Sequence, residues 1–302
     1  MKIYDKWVNK NCPRLDNKIV VVTGADGSIG YYICYYLLVL GAKIVMVVKD
    51  MNQGNTCKDK LLQKFPKASI SIEYIDLFDL DSIYAVLPKL NKYNPDYLIN
   101  NAGVYHLPIK HNKEGLERTF CVNFYGPHLL TEGLIETISK NGGKIVSQCS
   151  VSVRWIRSFD FDDLNLDKTK NLTQKYGKTK VMMMLDSMRL KRKGVNIDLS
   201  HPGASATSLF ASKRGGFTKA FNALIVPLMK FIFISPSKAS LPTIYTLTHT
   251  LKYGEWVGPR GMFNIWGYPG VQKVNSKFLD NRGQDLLNEK VEQLIKKEGK
   301  HD

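Results

Sequence analysis

Tyr176 and Lys180 stand four positions apart in the stretch Tyr176-Gly177-Lys178-Thr179-Lys180. On a helix that spacing stacks the two side chains on one face. A free phenol has a pKa near ~10 and keeps its proton at neutral pH, so a neighbouring ammonium that favours the phenolate makes tyrosine a proton shuttle. Lysine has no acceptor and serves there as a fixed positive charge. The same pair also reads as an exposed couple on a lysine-rich helix. Other parts of the chain must decide between the two.

The elements that would position such a pair follow a βαβ rhythm. Lys18 to Thr23 is a β-branched run that ends in Gly24-Ala25-Asp26-Gly27-Ser28-Ile29-Gly30, and an apolar helical segment, Tyr31 to Leu40, follows. Strand, glycine turn and helix together form a pyrophosphate cradle, because backbone N–H groups converge at the helix N-terminus. A turn that merely joins strand to helix is the plainer reading. A second β-run, Lys43 to Val48, leads to Lys49-Asp50, where a doubly wound fold selects its cofactor at the adenosine ribose. Lys49 there favours the extra phosphate of NADP, whereas Asp50 and Asp26 favour NAD. Next come a helical segment Gln53 to Phe65, a strand Ser69 to Tyr74 before Asp76-Leu77, and a helix Leu80 to Leu90. The short strand after them runs into Asn100-Asn101-Ala102-Gly103.

With the Gly24 turn, this Asn-Asn-Ala-Gly segment and the Tyr176/Lys180 pair in that order, the chain resembles a short-chain dehydrogenase/reductase, and within that family the retinol dehydrogenase-like group. The resemblance spans roughly Lys18 to Pro269. Gly115 through Thr131 is similar to the family's central helix with its catalytic asparagine, here Asn123; Lys144 to Ser150 resembles the strand that delivers the catalytic serine, Ser150. Phe161 to Asn165 matches an insertion typical of the group, which accounts for the long separation of Ser150 from Tyr176. His201-Pro202-Gly203 to Thr207 resembles the loop beside the nicotinamide, and Gly258 to Gly261 with Gly267 to Pro269 looks like the last-strand region of bacterial relatives.

The resemblance implies a single-domain α/β Rossmann fold, doubly wound, with a seven-stranded, mostly parallel sheet flanked by helices over residues 17–302. An N-terminal extension covers 1–16, and a substrate lid lies around 205–236. It implies that Tyr176 exchanges a proton with the substrate oxygen, that Lys180 lowers the phenol's pKa, that Ser150 holds the oxygen and that Asn123 anchors a water relay. Thr23, Gly24, Asp26, Gly27, Ser28, Ile29, Gly30, Lys49, Asp76, Leu77, Asn101, Ala102, Gly103, Tyr176, Lys180, Pro202, Gly203 and Thr207 would meet the dinucleotide. NADP(H) is preferred on Lys49, with NAD(H) the alternative, and no metal is expected. Hydride exchange between an alcohol and a carbonyl, on a lipophilic small molecule, is the expected reaction. Pro127, four residues after Asn123, has no N–H to give the Asn123 carbonyl and should kink the helix or break it there.

Two departures from the family pattern stand out. The glycine turn reads TGxxGxxG, with Ser28 where the usual motif has glycine; this is the spacing of extended members that modify sugar nucleotides. Cys149 beside Ser150 is either a reactive thiol or a small core residue. The helix after Tyr176 carries Met182, Met183, Met184 and Met188, which reads as core or subunit interface, and the family's habit at this helix suggests a homodimer or homotetramer.

Composition bounds the alternatives. The 302 residues, 44% of them hydrophobic, suffice for one sizeable core. The net charge of +16 is dispersed, with no zinc-finger spacing, aromatic RNA-binding motif or arginine-rich arm, so nucleic acid is not the expected partner. Five unpatterned cysteines read as reduced thiols of a cytoplasmic protein, and residues 1–16 lack the apolar core of a signal peptide. Phe217 to Ile234 is too interrupted to span a bilayer, though with Lys213, Arg214 and Lys219 it suits peripheral contact with a membrane surface. A dinucleotide-binding regulatory protein without turnover remains a second class of function.

Overall fold

The strands are apolar on both sides because both faces of the sheet are covered. In β1 (Ile19–Thr23) and β2 (Lys43–Val48), Val21, Val45 and Val47 point into one core while Val20, Val22, Ile44, Met46 and Val48 point into the other. A sheet buried on both faces requires such continuous apolar runs. In the computed structural model, which describes residues 4–203, 234–261 and 264–298, these strands lie in an eight-stranded sheet. Thr207 and residues 205–233 of the expected lid lie outside the described residues.

The sheet adds β3 (Ile70–Tyr74), β4 (Tyr97–Asn100), β5 (Lys144–Gln148), β6 (Ile197–Ser200), β7 (Glu255–Pro259) and β8 (Pro269–Lys273), in the order β3-β2-β1-β4-β5-β6-β7-β8. The first seven run parallel; β8 pairs antiparallel with β7. The expected count of seven is therefore short by one. Pro259 and Pro269 pair across the opening of a hairpin, and the turn glycines between them return the chain onto the sheet edge instead of leaving it as a loop.

Among the described residues the α-helices in chain order are α1 (Asp5–Asn11), α2 (Ser28–Val39), α3 (Met51–Leu62), α4 (Leu80–Lys92), α5 (Arg118–Phe120), α6 (Gly126–Lys140), α7 (Leu172–Arg192), α8 (Pro236–Ala239), α9 (Leu241–Thr248) and α10 (Asn281–Glu298). One core packs α1, α2, α3 and α9 against the sheet, and the other packs α4, α6, α7 and α10. Crossovers reverse between β1 and β4, so a cleft opens at the carboxyl ends of the strands there, where such folds bind ligands.

Two ambiguities of the sequence are settled by packing. Between α5 and α6, residues Cys121–Tyr125 form a π-helical turn in which the Gly126 N–H donates to the Cys121 carbonyl. The expected kink or break at Pro127 is thus a widened turn in a continuous helical run. The extra residue per turn accommodates a proline that cannot donate four residues back. Met182, Met183, Met184 and Met188 are all buried in the core. Every residue from Thr179 to Leu190 is buried, with α10 and the insertion packed around α7. The methionines are core, and the argument for a homodimer through their helix lapses.

Candidate active site

The turn after β1 is shaped by two glycines. Gly24 sits at φ +61°, a conformation that L side chains rarely adopt. A Cβ on Gly30 would overlap the Gly24 carbonyl oxygen and come within 2.9 Å of both the Ala25 Cα and the Asn101 amide nitrogen. Ser28, by contrast, is exposed and simply opens α2, so the missing second glycine leaves the turn intact. Gly27 caps α2 without any side-chain hydrogen bond, which leaves the first N–H groups of the helix free for an anion. Gly30→Ala should push the turn out of register at a cost of ~1–3 kcal/mol and weaken dinucleotide binding at least ~10-fold. Fluorescence titration and a melting curve read the two effects, and a variant that binds and melts like the parent would refute the steric account.

At the ribose end, Lys49 forms an ion pair with Asp76 at 2.7 Å on the rim of the cleft. The Asp50 carboxylate is turned into the N-cap of α3, where one oxygen accepts from the Asn52 and Gln53 N–H groups. Asp26 is partly buried, and burial raises its carboxyl pKa, with the nearby Asp50 charge adding to the effect.

Ser150 leaves the end of β5 and caps a short 3₁₀ turn, Val151–Trp155, its Oγ accepting from the Ser152 N–H at 3.2 Å. Tyr176 lies in the second turn of α7, whose start is fixed by Asn171 accepting from the Gln174 N–H. The expected insertion seats this helix: the Lys175 amine donates to the Leu166 carbonyl, and Asn165 bridges back to Gly115 and Glu117. The Tyr176 hydroxyl faces the same cleft as Ser150, close enough for that hydroxyl to lower its pKa, and the Lys180 amine lies 5.9 Å from the centre of the phenol ring. Tyr176, partly exposed to the cleft, and Lys180, buried behind it, are therefore neighbours within the cleft, not an exposed surface couple.

The electrostatics differ from the expected ones. Burial pushes the Tyr176 hydroxyl up to about 12, against a smaller lowering by the Ser150 hydrogen bond. Burial also pulls the Lys180 amine down to about 8. The expected lowering of the phenol by Lys180 is overridden, because the ammonium donates instead to the Gln148 carbonyl at 2.8 Å and both groups have lost their water. Cys149 is buried with its thiol raised to about 11 by burial, as an inert core residue would be.

Asn123, on the π turn, spends its side chain on structure. Its Oδ1 accepts from the Val104 N–H at 2.7 Å, and its Nδ2 donates to the Val104 carbonyl at 2.9 Å and to Thr179 Oγ1 at 3.3 Å. It thereby latches the loop after β4 to α7. A Cβ on Gly103 would lie 3.2 Å from that Asn123 oxygen, so a glycine suits this crossing.

A single cleft of about 660 Å³ joins these groups. Gly24, Asp26, Gly27, Ser28, Ile29, Gly30, Lys49, Asp76, Leu77, Asn101, Ala102, Gly103, Ser150, Tyr176, Lys180, Pro202 and Gly203 all line it. Thr23 and Asn123 stand behind the wall and brace it. Sequence reasoning missed Tyr105, whose ring meets that of Tyr176 edge-on at 5.0 Å, and Trp155, two-thirds exposed in the cleft wall. It also missed Arg118, which lies over Phe78 beside Leu77. Gln148, a buried polar residue at the end of β5 next to Ser147, carried a signal that went unread.

A doubly wound α/β fold with a cleft at its switch point defines the fold class, and comparison with known proteins agrees on that fold. The short chain dehydrogenase family profile matches residues 18–156. Retinol dehydrogenase 13 of Mus musculus is 29% identical over 245 residues, covering 78% of this chain and 73% of its own length. The chloroplastic short-chain dehydrogenase TIC 32 B of Brassica napus is 27% identical, with 76% and 75% covered. Among solved structures, an uncharacterized protein from Mycobacterium paratuberculosis superposes with a TM-score of 0.73 over 95% of this chain and 96% of its own, at 22% identity. L-sorbose reductase from Gluconobacter frateurii, solved with NADPH and L-sorbose, gives 0.61 over 78% and 91%, at 19% identity. The chain is thus similar to short-chain dehydrogenases, and to retinol dehydrogenases among them over about three quarters of its length.

Proposed function

We propose that the protein is an NADP(H)-preferring carbonyl reductase acting on an apolar aldehyde or ketone. The observation that carries this reading is that Ser150, Tyr176 and Lys180 line the same cleft as the Gly24–Gly30 turn. The glycine turn, the open N-terminus of α2 and Lys49 would hold the dinucleotide phosphates, with Lys180 near its nicotinamide end; the bound cofactor supplies the hydride. Tyr176 gives its proton to the substrate oxygen, and Ser150 donates a second hydrogen bond to that oxygen as charge develops on it. Lys180 holds positive charge beside the phenol, 5.9 Å from its ring centre, and the proton that Tyr176 gives up returns to it from solvent when the product leaves the cleft. Asn123 keeps the loop carrying Gly103 closed over Lys180, so that water is kept from the reacting atoms.

The apolar end of the cleft supports the substrate class. Val104, Leu107, Val151, Trp155 and Ile265 line it beside Tyr176 and present no charge. A wall of this kind holds an apolar carbonyl compound by burial. The test is a panel of hydrophobic aldehydes, ketones and alcohols assayed with each cofactor, with Tyr176→Phe as control. Tight dinucleotide binding without turnover on any of them would instead favour a regulatory dinucleotide sensor.

The cofactor preference rests on Lys49 and on Asp50 being committed to its helix cap. Lys49→Ala should raise KM for NADPH ~10-fold and leave KM for NADH within ~2-fold, the loss of one charge-assisted phosphate contact. Equal effects on both cofactors would reverse the assignment. The pair with Asp76 is two-thirds exposed on the lysine side and adds little stability, so the melting temperature should not move.

A further inference from the structure

A chain of hydrogen bonds, buried at its β6 end and part-buried at Asn101, runs from β6 to the glycine turn, and Gln148 is its centre. Ser200 Oγ meets Thr243 Oγ1 at 3.0 Å, and Thr243 Oγ1 meets Gln148 Oε1 at 3.0 Å. Gln148 Nε2 donates to Asn101 Oδ1 at 3.1 Å. Asn101 Nδ2 then donates to the Thr23 carbonyl at 2.8 Å and the Gly24 carbonyl at 3.2 Å.

The direction of this chain is dictated by its last members. Backbone carbonyls only accept, so Asn101 must turn its NH₂ toward Thr23 and Gly24 and its oxygen toward Gln148. Gln148 must then present its own NH₂ to Asn101 and its oxygen to Thr243, whose hydroxyl must donate. Ser200 is left to donate to Thr243. Every link has one permitted polarity, and a chain of aligned bonds in a low-dielectric interior strengthens each member. The backbone of Gln148 does a second task, since its carbonyl accepts from the Lys180 amine at 2.8 Å.

We propose that Gln148 is a positioning residue that couples the two ends of the site: through Asn101 it fixes the glycine turn that receives the dinucleotide, and through its carbonyl it fixes Lys180 beneath Tyr176. This rests on the reductase reading for its functional consequence but not for its structural one. Packing alone does not account for the arrangement, because an apolar residue would fill the same place in β5 without needing Thr243 or Asn101 to be polar.

Polarity, not volume, is therefore the variable to test. Gln148→Glu has nearly the same shape but no proton for Asn101 Oδ1 when ionised. Asn101 must then flip and set its oxygen against the Thr23 and Gly24 carbonyls. Gln148→Leu removes the link without forcing that flip. The expected order of NADPH affinity, by fluorescence titration, is wild type, then Gln148→Leu ~5-fold weaker, then Gln148→Glu ~20-fold weaker or more, a spread set by losing one buried hydrogen bond against creating an unsatisfied one. Thr243→Val lies outside the cleft wall and touches no ligand, yet should weaken NADPH ~3-fold by freeing the Gln148 amide to turn. Amide hydrogen exchange should quicken in the peptide around 23–27 in Gln148→Glu, with β7 unchanged. That readout needs neither turnover nor bound cofactor. A Gln148→Glu protein that binds NADPH as tightly as Gln148→Leu and shows wild-type exchange in 23–27 would overturn the proposal. A wild-type protein that binds no dinucleotide would overturn the reductase reading, while the exchange result would still decide the role of Gln148.

Discussion

Tyr176→Phe is expected to lower turnover about a thousandfold while leaving dinucleotide affinity within ~2-fold, because only the transferred proton and one hydrogen bond are lost. The ring would stay in place, held edge-on by Tyr105 and by the buried face of α7. Ser150 would keep its bond from the Ser152 N–H. The pH profile makes the prediction sharper. With burial holding the hydroxyl at about 12, the phenol is protonated throughout the neutral range. It is then always ready to donate to a carbonyl oxygen, and reduction should be flat on its account from about pH 6 to 9. Oxidation of an alcohol needs the phenolate and should rise steeply with pH across the same window. Steady-state rates in both directions over that range give the answer. A reduction rate that falls tenfold per unit through neutral pH, or a phenylalanine variant with near-normal turnover, would remove Tyr176 from its role.

The second large effect concerns Lys180, where activity and stability should move in opposite directions. Its amine is buried, donates to the Gln148 carbonyl and contacts the Met183 sulfur at 3.8 Å. Burial brings it from 10.5 to about 8, so the folded protein binds this proton less tightly than the unfolded chain. The stability cost is in full force below about pH 8 and is relieved as pH rises from there toward 10.5, since the unfolded state then binds more protons than the folded one. Lys180→Met removes that cost at neutral pH. Allowing for the lost hydrogen bond to Gln148, it should stabilise by roughly 1–2 kcal/mol while cutting turnover at least ~100-fold. Urea unfolding at pH 7 and pH 9.5 is the check, and the gain should shrink at the higher pH. A methionine variant that is clearly less stable at pH 7 would show that the amine is a structural strut, not a charge held at a cost for function.

How much of this was legible beforehand varies element by element. β2 runs over the same residues that its apolar pattern marks, because a strand covered on both faces is apolar at every position after its exposed first residue, Lys43. The turn at Gly24 was readable for a related reason: positive φ and close backbone crossing exclude side chains, so glycine positions report geometry directly. Ser28 looked like a defect and is none, because it stands exposed at the first position of a helix. β8 was read as a last-strand region, yet its pairing partner is fixed by a hairpin turn, and sequence patterning does not count the strands at a sheet edge. The π turn at Asn123 was half visible, since Pro127 announced a missing donor but not how the helix would absorb it.

What the sequence determined by itself is the inventory: the alternation of strands and helices, the glycine cradle, and a serine, tyrosine and lysine in family order. Those depend on local sterics and on burial period, which each short segment carries within itself. What only the tertiary structure decided is the state of the groups once assembled. The Tyr176 proton is held by burial, Lys180 answers to Gln148 before it answers to the phenol, and the methionines of α7 are buried in the chain's own core. Desolvation and hydrogen-bond direction are properties of the surroundings, and those surroundings come from residues up to a hundred positions away.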